Sequence, residues 1–327
     1  MILAFIDQMR AEGHAVESIC RVLRGQGLKI AARTYRLWKQ QGRAVADRTH
    51  TDAQVLDAVR EGCWTTVVAP DGTTRRKMTP EGLYGRRKML ALVRRQIPDA
   101  SRGAVDRAMR ALGLNGVRRT KAIRTTIPAK DGRRAGDLLN RDFTAPRPDH
   151  TWVADFTYVR TWAGWVYVAF IVDVFAQMIV GWHAMTTRDV ELVMIPLRMA
   201  LWNRGRTGHP VGPGQLRAHS DAGTQYTSIT YTDKLALDGI APSIGSVGDA
   251  YDNALMECVN GLYKAECIRT TIFHEGPFKT IADVEIATAG WVDWYNNHRL
   301  HGSLGMVSPE QFEADHYAAL NQEPHPA

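Results

Sequence analysis

The chain lacks the features that membrane-anchored, secreted or zinc-stabilised proteins need. Its longest apolar run, Val166 to Val172, ends at Asp173 and is far shorter than the roughly 20 residues that span a bilayer. No basic segment followed by an apolar stretch and a cleavage site is seen at the N-terminus, so we expect no signal peptide. The four cysteines form no Cys-x-x-Cys pair and have no histidines at zinc-finger spacing. These absences predict a cytoplasmic protein with reduced thiols, no membrane segment and no structural zinc.

Positive and negative charges are divided unevenly along the chain. Residues 1–147 hold 30 of the 41 Lys and Arg residues and 14 of the 34 Asp and Glu residues, so this half carries +16 and the remainder −9. Such a basic half predicts a region that holds a polyanion, and its many arginines favour phosphate. We expect this half to bind duplex DNA by itself. A solvated basic surface without a partner would have the same composition, so charge alone leaves both interpretations open.

The basic half begins with the periodicity of short helices. Over residues 1–60, apolar positions recur at helical spacing on both sides of Gly25 and Gly27. Two short helices around a glycine turn are typical of a helix-turn-helix, although many small helical hairpins share this pattern. We therefore predict a helical N-terminal region that is a candidate DNA-binding unit.

Residues 61–124 predict a second module. Here β-prone residues flank Pro70-Asp71-Gly72, which indicates a small hairpin, and another helical pair follows. The second helix of that pair begins after Ser101, a residue type that caps helix N-termini, and one of its faces is rich in arginine. We predict that these arginines contact DNA; the alternative is an exposed basic helix without a partner. They are Arg102, Arg107 and Arg110.

After a basic segment over 125–148, which we interpret as a linker, the pattern changes to strands. Three β-rich runs separated by short turns predict an antiparallel meander, and helices and strands then alternate. This order predicts an α/β domain of the ribonuclease H-like class over residues 149–315, with a tail over 316–327. The three runs are Trp152 to Arg160, Trp165 to Val172 and Gln177 to Met185.

Three carboxylates are notable for their positions in these elements. Asp155 lies inside the first β-run, where a charge is costly unless something compensates it. Asp221 follows a later strand, where side chains open into the crevice of an α/β sheet. Glu257 lies on a helix predicted over about 249–268, on a polar stripe that could also be a solvated helix face. The same stripe contains Asn253, Asn260 and Lys264.

Six motifs contain these carboxylates or lie before or after them in the chain. They are Tyr84 to Lys88, Met109 to Leu114, Trp152 to Tyr158, His219 to Ser228, Tyr251 to Glu257 and Tyr295 to His301. In this order, from about Ile19 to Phe312, the chain resembles insertion-sequence transposases of the IS-three (IS3) family in the retroviral-integrase superfamily. The resemblance implies an Asp-Asp-Glu catalytic triad and a helical DNA-binding module upstream that includes Arg86 and Arg87. The family's usual arginine after the second aspartate is Ala222 here.

The chemistry of DNA strand transfer explains why such a triad is acidic. Two Mg²⁺ ions about 3.5–4 Å apart can hold the attacking and leaving oxygens of a phosphodiester, and Mg²⁺ prefers oxygen ligands. We expect Asp155 to contact both ions, Asp221 and Glu257 to contact one each, and Mn²⁺ to substitute for Mg²⁺. On the same helix face, Lys264 and Asn253 would contact the DNA backbone.

Other ionisable residues near these motifs have different predicted roles. Asp173 is expected to form a turn and Asp249 to cap a helix, whereas Asp252 and Glu266 lie off the stripe of Glu257. Since His219 has no second ligand nearby, we expect it to position its neighbours without binding metal. Two further histidines, His298 and His301, could equally contact DNA or serve as capping or surface residues.

The resemblance implies a bacterial transposase, the second-frame OrfB product. Water would free a 3′-hydroxyl at an element end, and that hydroxyl would attack a second phosphodiester. The implied partners are double-stranded DNA, further copies of the chain, and the upstream OrfA product, either free or as an OrfA-OrfB fusion. We expect the protein in the cytoplasm with the bacterial nucleoid. A DNA-binding regulator without activity, or a ribonuclease H-type nuclease that never joins strands, would be the alternatives.

Overall fold

The computed structural model of the chain describes residues 2–40, 46–69, 71–118, 144–221, 223–244 and 254–322. Within these ranges the helices are α1 (Ile2–Ala11), α2 (Val16–Gly25), α3 (Ala32–Lys39), α4 (Asp47–Cys63), α5 (Arg86–Arg94), α6 (Arg102–Ala111), α7 (Glu191–Arg206), α8 (Ile229–Leu237), α9 (Ala254–Leu262), α10 (Ile281–Asn297) and α11 (Pro309–Gln322). The strands are β1 (Trp64–Val68), β2 (Thr74–Met78), β3 (Thr151–Thr161), β4 (Gly164–Asp173), β5 (Ile179–Met185), β6 (Arg217–Ser220) and β7 (Ala241–Ile244). None of the described helices is both long and apolar enough to cross a bilayer.

The first compact unit, residues 1–54, contains α1 to α3. Their apolar sides form a small core that includes Ile19, Leu23 and Tyr35. The Tyr35 hydroxyl donates a hydrogen bond to Asp7 at 2.7 Å, which ties α3 to α1. In the loop between α2 and α3, Gly27 has a φ of +88°, a conformation that favours glycine. The predicted pair of short helices around a glycine turn is therefore present.

The second unit, residues 55–327, is built on a five-stranded mixed sheet in the order β5-β4-β3-β6-β7. Strands β3, β4 and β5 form the predicted antiparallel meander. After α7, β6 pairs in parallel with β3, and after α8, β7 pairs in parallel with β6. Three antiparallel strands followed by two parallel strands reached through helices make the ribonuclease H-like α/β fold that was predicted.

Alternation along β3 separates two cores. Val153 and Val159 belong to the core that also contains Trp291 of α10, whereas Trp152 belongs to the core that contains Leu197 of α7. Sheet layers covered by helices on both faces leave strands with long apolar runs, as in β4. Asp155 has the same parity as Val153 and therefore points to the α9 and α10 side of the sheet.

The hairpin β1-β2 and the helical pair α5-α6 join the α9 and α10 side. Met89 and Val105 lie in the same buried cluster as Trp291. The Trp294 indole donates to Glu81 at 2.9 Å, and this contact ties α10 to the 3-10 turn Pro80–Leu83. A cut near residue 147 would therefore divide one core, so the expectation of a basic half that acts by itself does not fit residues 55–118.

Several predicted domain boundaries fall at places where the structure shows continuous elements. The boundary after residue 60 lies inside α4, and the boundary after residue 315 lies inside α11. In α11, His316 packs against Phe175 with ring centroids 4.8 Å apart, so this part of the predicted tail is attached to the sheet domain. Most of the predicted linker over 125–148, namely residues 125–143, lies outside the described residues.

A buried cluster of charges closes the end of the sheet opposite to Asp221. Arg204 of α7 pairs with Asp149, with Nε 2.9 Å from Oδ1, and with Glu313 of α11, with Nη2 3.0 Å from Oε2. Next to it, Asp173 accepts hydrogen bonds from the backbone N–H groups of Asp149 and Ala176, each at 3.1 Å. The bond from Ala176, three residues later in the chain, confirms the predicted turn-forming role of Asp173.

Replacement of Arg204 tests how much this cluster contributes to the free energy of unfolding. Arg204→Ala should lower the free energy of unfolding by about 3–5 kcal/mol, because it leaves two buried carboxylates without their cation. The matched control is Arg198→Ala on the same helix, which removes an exposed pair with Glu191 and should cost at most about 1 kcal/mol. Urea unfolding measures both values, and equal losses would contradict a special role for the buried cluster.

Candidate active site

Asp155 lies in the middle of β3 and is half-buried. The backbone N–H of Phe156 donates to its Oδ1 at 2.8 Å, and the Asn260 side chain donates to its Oδ2 at 2.9 Å. Burial, together with the negative charges of Asp221 and Glu257, raises the pKa of Asp155 to about 7. Burial is the larger cause, and the neighbouring negative charges act in the same direction.

Asp221 is next to Asp155 because of the sheet register. Ala154 of β3 pairs with Ser220, the last residue of β6, in a parallel ladder. Asp155 follows Ala154 within β3 and Asp221 follows Ser220 at the end of β6, so the register places the two aspartates side by side on the same face of the sheet. Asp221 is exposed, and its Oδ1 accepts a hydrogen bond from the backbone N–H of Gly223 at 3.1 Å.

Glu257 lies in the first turn of α9, which packs against β3. Its neighbours Met256 and Val259 are buried, whereas Glu257 is exposed on the polar side. Across the described residues, no group of three His, Cys, Asp or Glu side chains has the spacing of a metal site. The metal-ligand set Asp155, Asp221 and Glu257 therefore stays a prediction, although the charges of Asp221 and Glu257 both act on Asp155. Asn253, Asp249 and Asp252 lie outside the described residues.

Asn260 contributes to the site, and the sequence pattern assigned it no role. It lies one turn after Glu257 on the predicted polar stripe, and its amide holds the Asp155 carboxylate. Its own Oδ1 is buried and has no hydrogen-bond partner among the described residues. Its spacing from Glu257 could have indicated this role, because positions i and i+3 of a helix lie on the same face.

Lys264 does not lie on a continuous α-helix with Glu257. The segment Tyr263–Ile268 is a π-helix that follows α9 directly. Within it, Ala265, Glu266 and Cys267 are buried in succession. The Lys264 ammonium lies 4.5 Å from the ring centroid of Tyr158 on β3. Burial and Arg269 lower the pKa of Lys264, and the charge of Asp155 opposes that shift.

Comparison with known proteins adds to this geometry. Two family models, each described as an integrase core domain, match residues 145–250 and residues 238–309. The transposase for insertion sequence element IS629 of Shigella sonnei is 40% identical over 322 residues, which cover 98% of this chain and 99% of the relative. The transposase of insertion sequence IS3A of Escherichia coli is 30% identical over 318 residues, 96% of this chain and 98% of the relative. The chain belongs to the IS3 family of insertion-sequence transposases.

A third relative matches a shorter part of the chain at higher identity. It is a protein of Mycobacterium tuberculosis assigned to insertion sequence element IS986/IS6110, 45% identical over 237 residues, which cover 72% of this chain and 84% of the relative.

In this transposase-family chain, the motif Tyr295 to His301 holds neighbouring elements together, and we call it the clasp. Arg299 is buried and pairs with Glu266 through three hydrogen bonds of 2.7–3.2 Å. Asn296 exchanges two hydrogen bonds with the backbone of Ile179 on β5, at 2.8 and 2.9 Å. His301 is buried, its pKa is lowered to about 2 by burial and by Arg299, and its neutral ring donates to the Tyr295 carbonyl at 3.2 Å. The motif thus joins the π-helix, the sheet and α10.

The other histidines and acids of the motifs are also accounted for. The Nδ1 atom of His219 lies 2.9 Å from the Ser243 hydroxyl, which links β6 to β7 and agrees with a positioning role. Glu266 lies off the stripe of Glu257, as predicted, but its role in the buried pair with Arg299 was not foreseen. His298, in contrast, is exposed.

The clasp also contacts the helical module formed by α5 and α6. The backbone N–H of Leu300 donates to the Tyr84 hydroxyl at 3.0 Å. The Lys88 ammonium lies 5.5 Å from the centroid of the Tyr84 ring and is not displayed as a free cation on α5. Burial and the nearby charge of Arg299 lower the pKa of Lys88 to about 7. The motif Tyr84 to Lys88 therefore includes residues that attach the module to the catalytic domain.

The predicted DNA contacts lie on the outer side of the same module. The Ser101 side chain accepts a hydrogen bond from the Ala104 N–H at 3.1 Å, so the predicted N-cap of α6 is present. Arg102 and Arg110 are exposed, and Arg107 is half-buried. On α5, Arg87 is exposed, and Arg86 forms an ion pair with Asp106 at 3.0 Å. The DNA contacts of these five arginines stay predictions.

Lys88→Met should change how stability depends on pH. As the pH falls from about 10 to about 7, the unfolded chain takes up the Lys88 proton, whereas the folded chain, with its lowered pKa, does not. Wild type should therefore lose stability relative to Lys88→Met over this range. The exposed neighbour provides the control, since Arg87→Met should follow the wild-type profile. Unfolding free energies from denaturant titrations at about pH 7 and about pH 9.5 measure the difference, and identical profiles for all three proteins would contradict this assignment.

Proposed function

We propose that this chain is a DNA transposase that cuts the ends of an insertion sequence and joins the freed 3′-hydroxyl to a second phosphodiester, with Asp155, Asp221 and Glu257 as the catalytic carboxylates. The observation that carries the proposal is the environment of Asp155. It is a half-buried carboxylate on a central strand, it is coupled to two further carboxylates, and its hydrogen bonds come from neutral donors.

The donor set of this site fits a hard divalent cation. Carboxylate oxygens are the ligands that Mg²⁺ prefers, and Mn²⁺ accepts similar ligands. Asp155, Asp221 and Glu257 would hold the metal. Two such ions would offset the negative charge that develops on the attacking and leaving oxygens. The described residues give Asp155 no ion pair of its own, so a bound cation would meet an uncompensated carboxylate.

The protein's own residues orient the site for this chemistry. The Phe156 N–H and the Asn260 amide each hold one oxygen of Asp155, which fixes the direction of the carboxylate. Asp221 is fixed by the Gly223 N–H at the end of β6. Glu257 is exposed on α9, where it can approach a substrate phosphate. Lys264, close to Tyr158 and within electrostatic reach of Asp155, would contact the DNA backbone beside the scissile bond.

The module of α5 and α6 would hold the element end. Its buried residues face the core, and the arginine face points the other way. Arginines contact phosphates and the edges of guanine, so this helix can contribute both affinity and sequence preference. The contacts would come from Arg86, Arg87, Arg102, Arg107 and Arg110, with Asn253 and Lys264 nearer the chemistry.

Partners and location follow from the same proposal. Two element ends and a target must be held together, which favours more than one copy of the chain on double-stranded DNA. The upstream OrfA product, free or as an OrfA-OrfB fusion, would add a further DNA-binding or multimerising part. The chain would work on DNA of the bacterial nucleoid in the cytoplasm.

Two other functions are compatible with parts of this geometry. A regulator without activity would need the DNA-binding module but no triad, and all three carboxylates are present. A ribonuclease H-type nuclease would need the triad but no arginine helix for a particular DNA end. An assay with element ends and Mg²⁺ separates the three, because only the transposase yields joined strands.

Substitution of the triad tests the chemistry. Asp155→Asn and Glu257→Gln should each reduce strand transfer by about a thousandfold or more, since a lost metal ligand removes several kcal/mol of transition-state stabilisation. Asp173→Asn is the control for Asp155, because Asp173 is also a carboxylate at the sheet with a pKa raised to about 7 by burial. Glu310→Gln is the control for Glu257, because both are exposed glutamates in a first helical turn.

Strand-transfer products are resolved on a sequencing gel and normalised to folded protein. Near wild-type joining by Asp155→Asn would exclude the triad. A similar loss in the two controls would indicate a general effect on stability instead of chemistry.

Substitution of the arginine face tests DNA holding. Changing Arg102, Arg107 and Arg110 together to Ala should weaken binding of an element-end duplex and should lower the slope of log affinity against log salt by about 3, because each phosphate contact contributes roughly 0.9. Arg206→Ala, an exposed arginine on α7, is the control and should bind like wild type. Anisotropy titrations at several salt concentrations give the slopes. An unchanged slope in the triple variant would remove this face from the DNA interface.

A further inference from the structure

Exposed aromatic rings lie on β3, β4 and the turn between them, beyond Asp155. Tyr158 is 54% exposed, Trp162 is 73% exposed and Trp165 is 45% exposed. Rings of this size normally bury most of their surface. We call these three residues the aromatic stripe. Tyr158 and Trp165 pack edge to face, with centroids 5.2 Å apart.

Each ring of the stripe has a cation near its face. The Lys264 ammonium lies 4.5 Å from the Tyr158 centroid, and the Arg160 guanidinium lies 5.4 Å from the Trp165 centroid. The Lys279 ammonium lies 5.7 Å from the Trp162 centroid. Within the described ranges, no ion pair with a carboxylate is formed by these three cations. The surface therefore combines ring faces with positive charge that is free to meet an anion.

The stripe starts a short distance from the candidate catalytic carboxylate. On one side of β3, β6 pairs only with residues 151–154, so that edge of β3 changes from paired to open at Asp155. At about 3.3 Å per residue, Tyr158 lies about 10 Å along the strand from Asp155 and Trp162 about twice as far. This length corresponds to a few nucleotides of extended single strand.

Lys264 connects the stripe to the site around the open edge. Tyr158 has the opposite parity to Asp155 on β3, so the two side chains leave the strand on different faces. The Lys264 ammonium nevertheless lies over the Tyr158 ring and also interacts with the charge of Asp155. A strand that passes this edge can therefore contact both the carboxylate and the rings.

We propose that the aromatic stripe binds unpaired DNA bases, from a strand that separates from the duplex beside the phosphodiester held at Asp155. The rings would stack on bases, and Arg160, Lys264 and Lys279 would contact the phosphates between them, as in proteins that bind single strands. Duplex DNA, whose bases are already paired and stacked, would contact the cations but not the ring faces. An apolar protein partner would bury the three cations without compensation. The identity of the strand rests on the proposed transposase function, but the binding itself does not require catalysis.

The test uses the full chain, EDTA and a fluorescein-labelled oligo-dT of about 12 nucleotides, a length within the range that such surfaces bind. Trp162→Ala and Tyr158→Ala should each weaken anisotropy-detected binding about tenfold, and the double variant about a hundredfold, which corresponds to the loss of one and two stacked bases. Binding of a blunt duplex of the same length should change less than about threefold. Trp162→Phe, which keeps a stacking ring, should retain most of the affinity.

The matched control is Trp202→Ala on α7. Trp202 is 64% exposed and has the Arg206 guanidinium 5.1 Å from its ring, so it reproduces the exposed ring with a cation at another place in the fold. It should bind oligo-dT like wild type. Lys279→Ala should lower the salt slope by about 0.7, the value for one phosphate of a single strand. Unfolding temperatures of the variants, which change exposed side chains only, should match wild type.

Wild-type affinity of the double variant for oligo-dT, or an equal loss in Trp202→Ala, would overturn the proposal. So would a stripe variant whose main change is a smaller sedimentation coefficient, because that result assigns the surface to contacts between copies. A parallel strand-transfer assay separates the two proposals. Oligo-dT binding that depends on the stripe, in a protein that joins no strands, would refute the proposed strand transfer and support the role of the stripe. Strand joining by a protein whose oligo-dT binding does not depend on the stripe would support strand transfer and refute the role of the stripe.

Discussion

The buried ion pair between Arg299 and Glu266 is the interaction on which the arrangement of the site depends. Glu266 lies on the π-helix that extends α9, the helix that presents Glu257 and Asn260. Arg299 lies just after α10, and its guanidinium meets the carboxylate through three hydrogen bonds. Either charge alone would be costly in this interior, and breaking such a pair typically costs about 3–5 kcal/mol. The pair therefore ties the helix that carries Glu257 to α10 and to the loop after it.

The same loop also attaches the module of α5 and α6. Leu300, next to Arg299, binds the Tyr84 hydroxyl, and Lys88 lies over the Tyr84 ring. The module of α5 and α6 is thus held to the catalytic domain through buried contacts and a shared apolar core. Its distance from Asp155 is set by packing between folded elements. In a chain that must cut at a defined position relative to the sequence it binds, this fixed distance would determine where the cut falls.

Local patterns predicted the elements, and tertiary contacts decided the details that the patterns missed. The meander, the β1-β2 hairpin and the Ser101 cap follow from residues close together in the chain, such as alternating apolar positions and turn formers. The strand positions of Asp155 and Asp221 were predictable for the same reason. The role of Glu266 was not, because its partner Arg299 lies 33 residues away. The π-helix was missed because its buried contacts come from residues distant in the chain, and Lys88 turned inward because α5 packs on the clasp.

Strand β3 carries both Asp155, a carboxylate within a core strand, and Tyr158, an exposed aromatic residue. Over residues 152–154, where it pairs with β6, it follows the usual rule, with apolar residues buried on both faces. The rule ends where β6 stops, because the strand edge then opens to the surface. Asp155 lies at that point, where it is half-buried and where the negative charges of Asp221 and Glu257 act on it. Tyr158 follows on the open part, exposed because no described strand pairs with that edge of β3 beyond residue 154. A single structural cause, the early end of β6, thus accounts both for an accessible carboxylate and for the aromatic ring nearest to it.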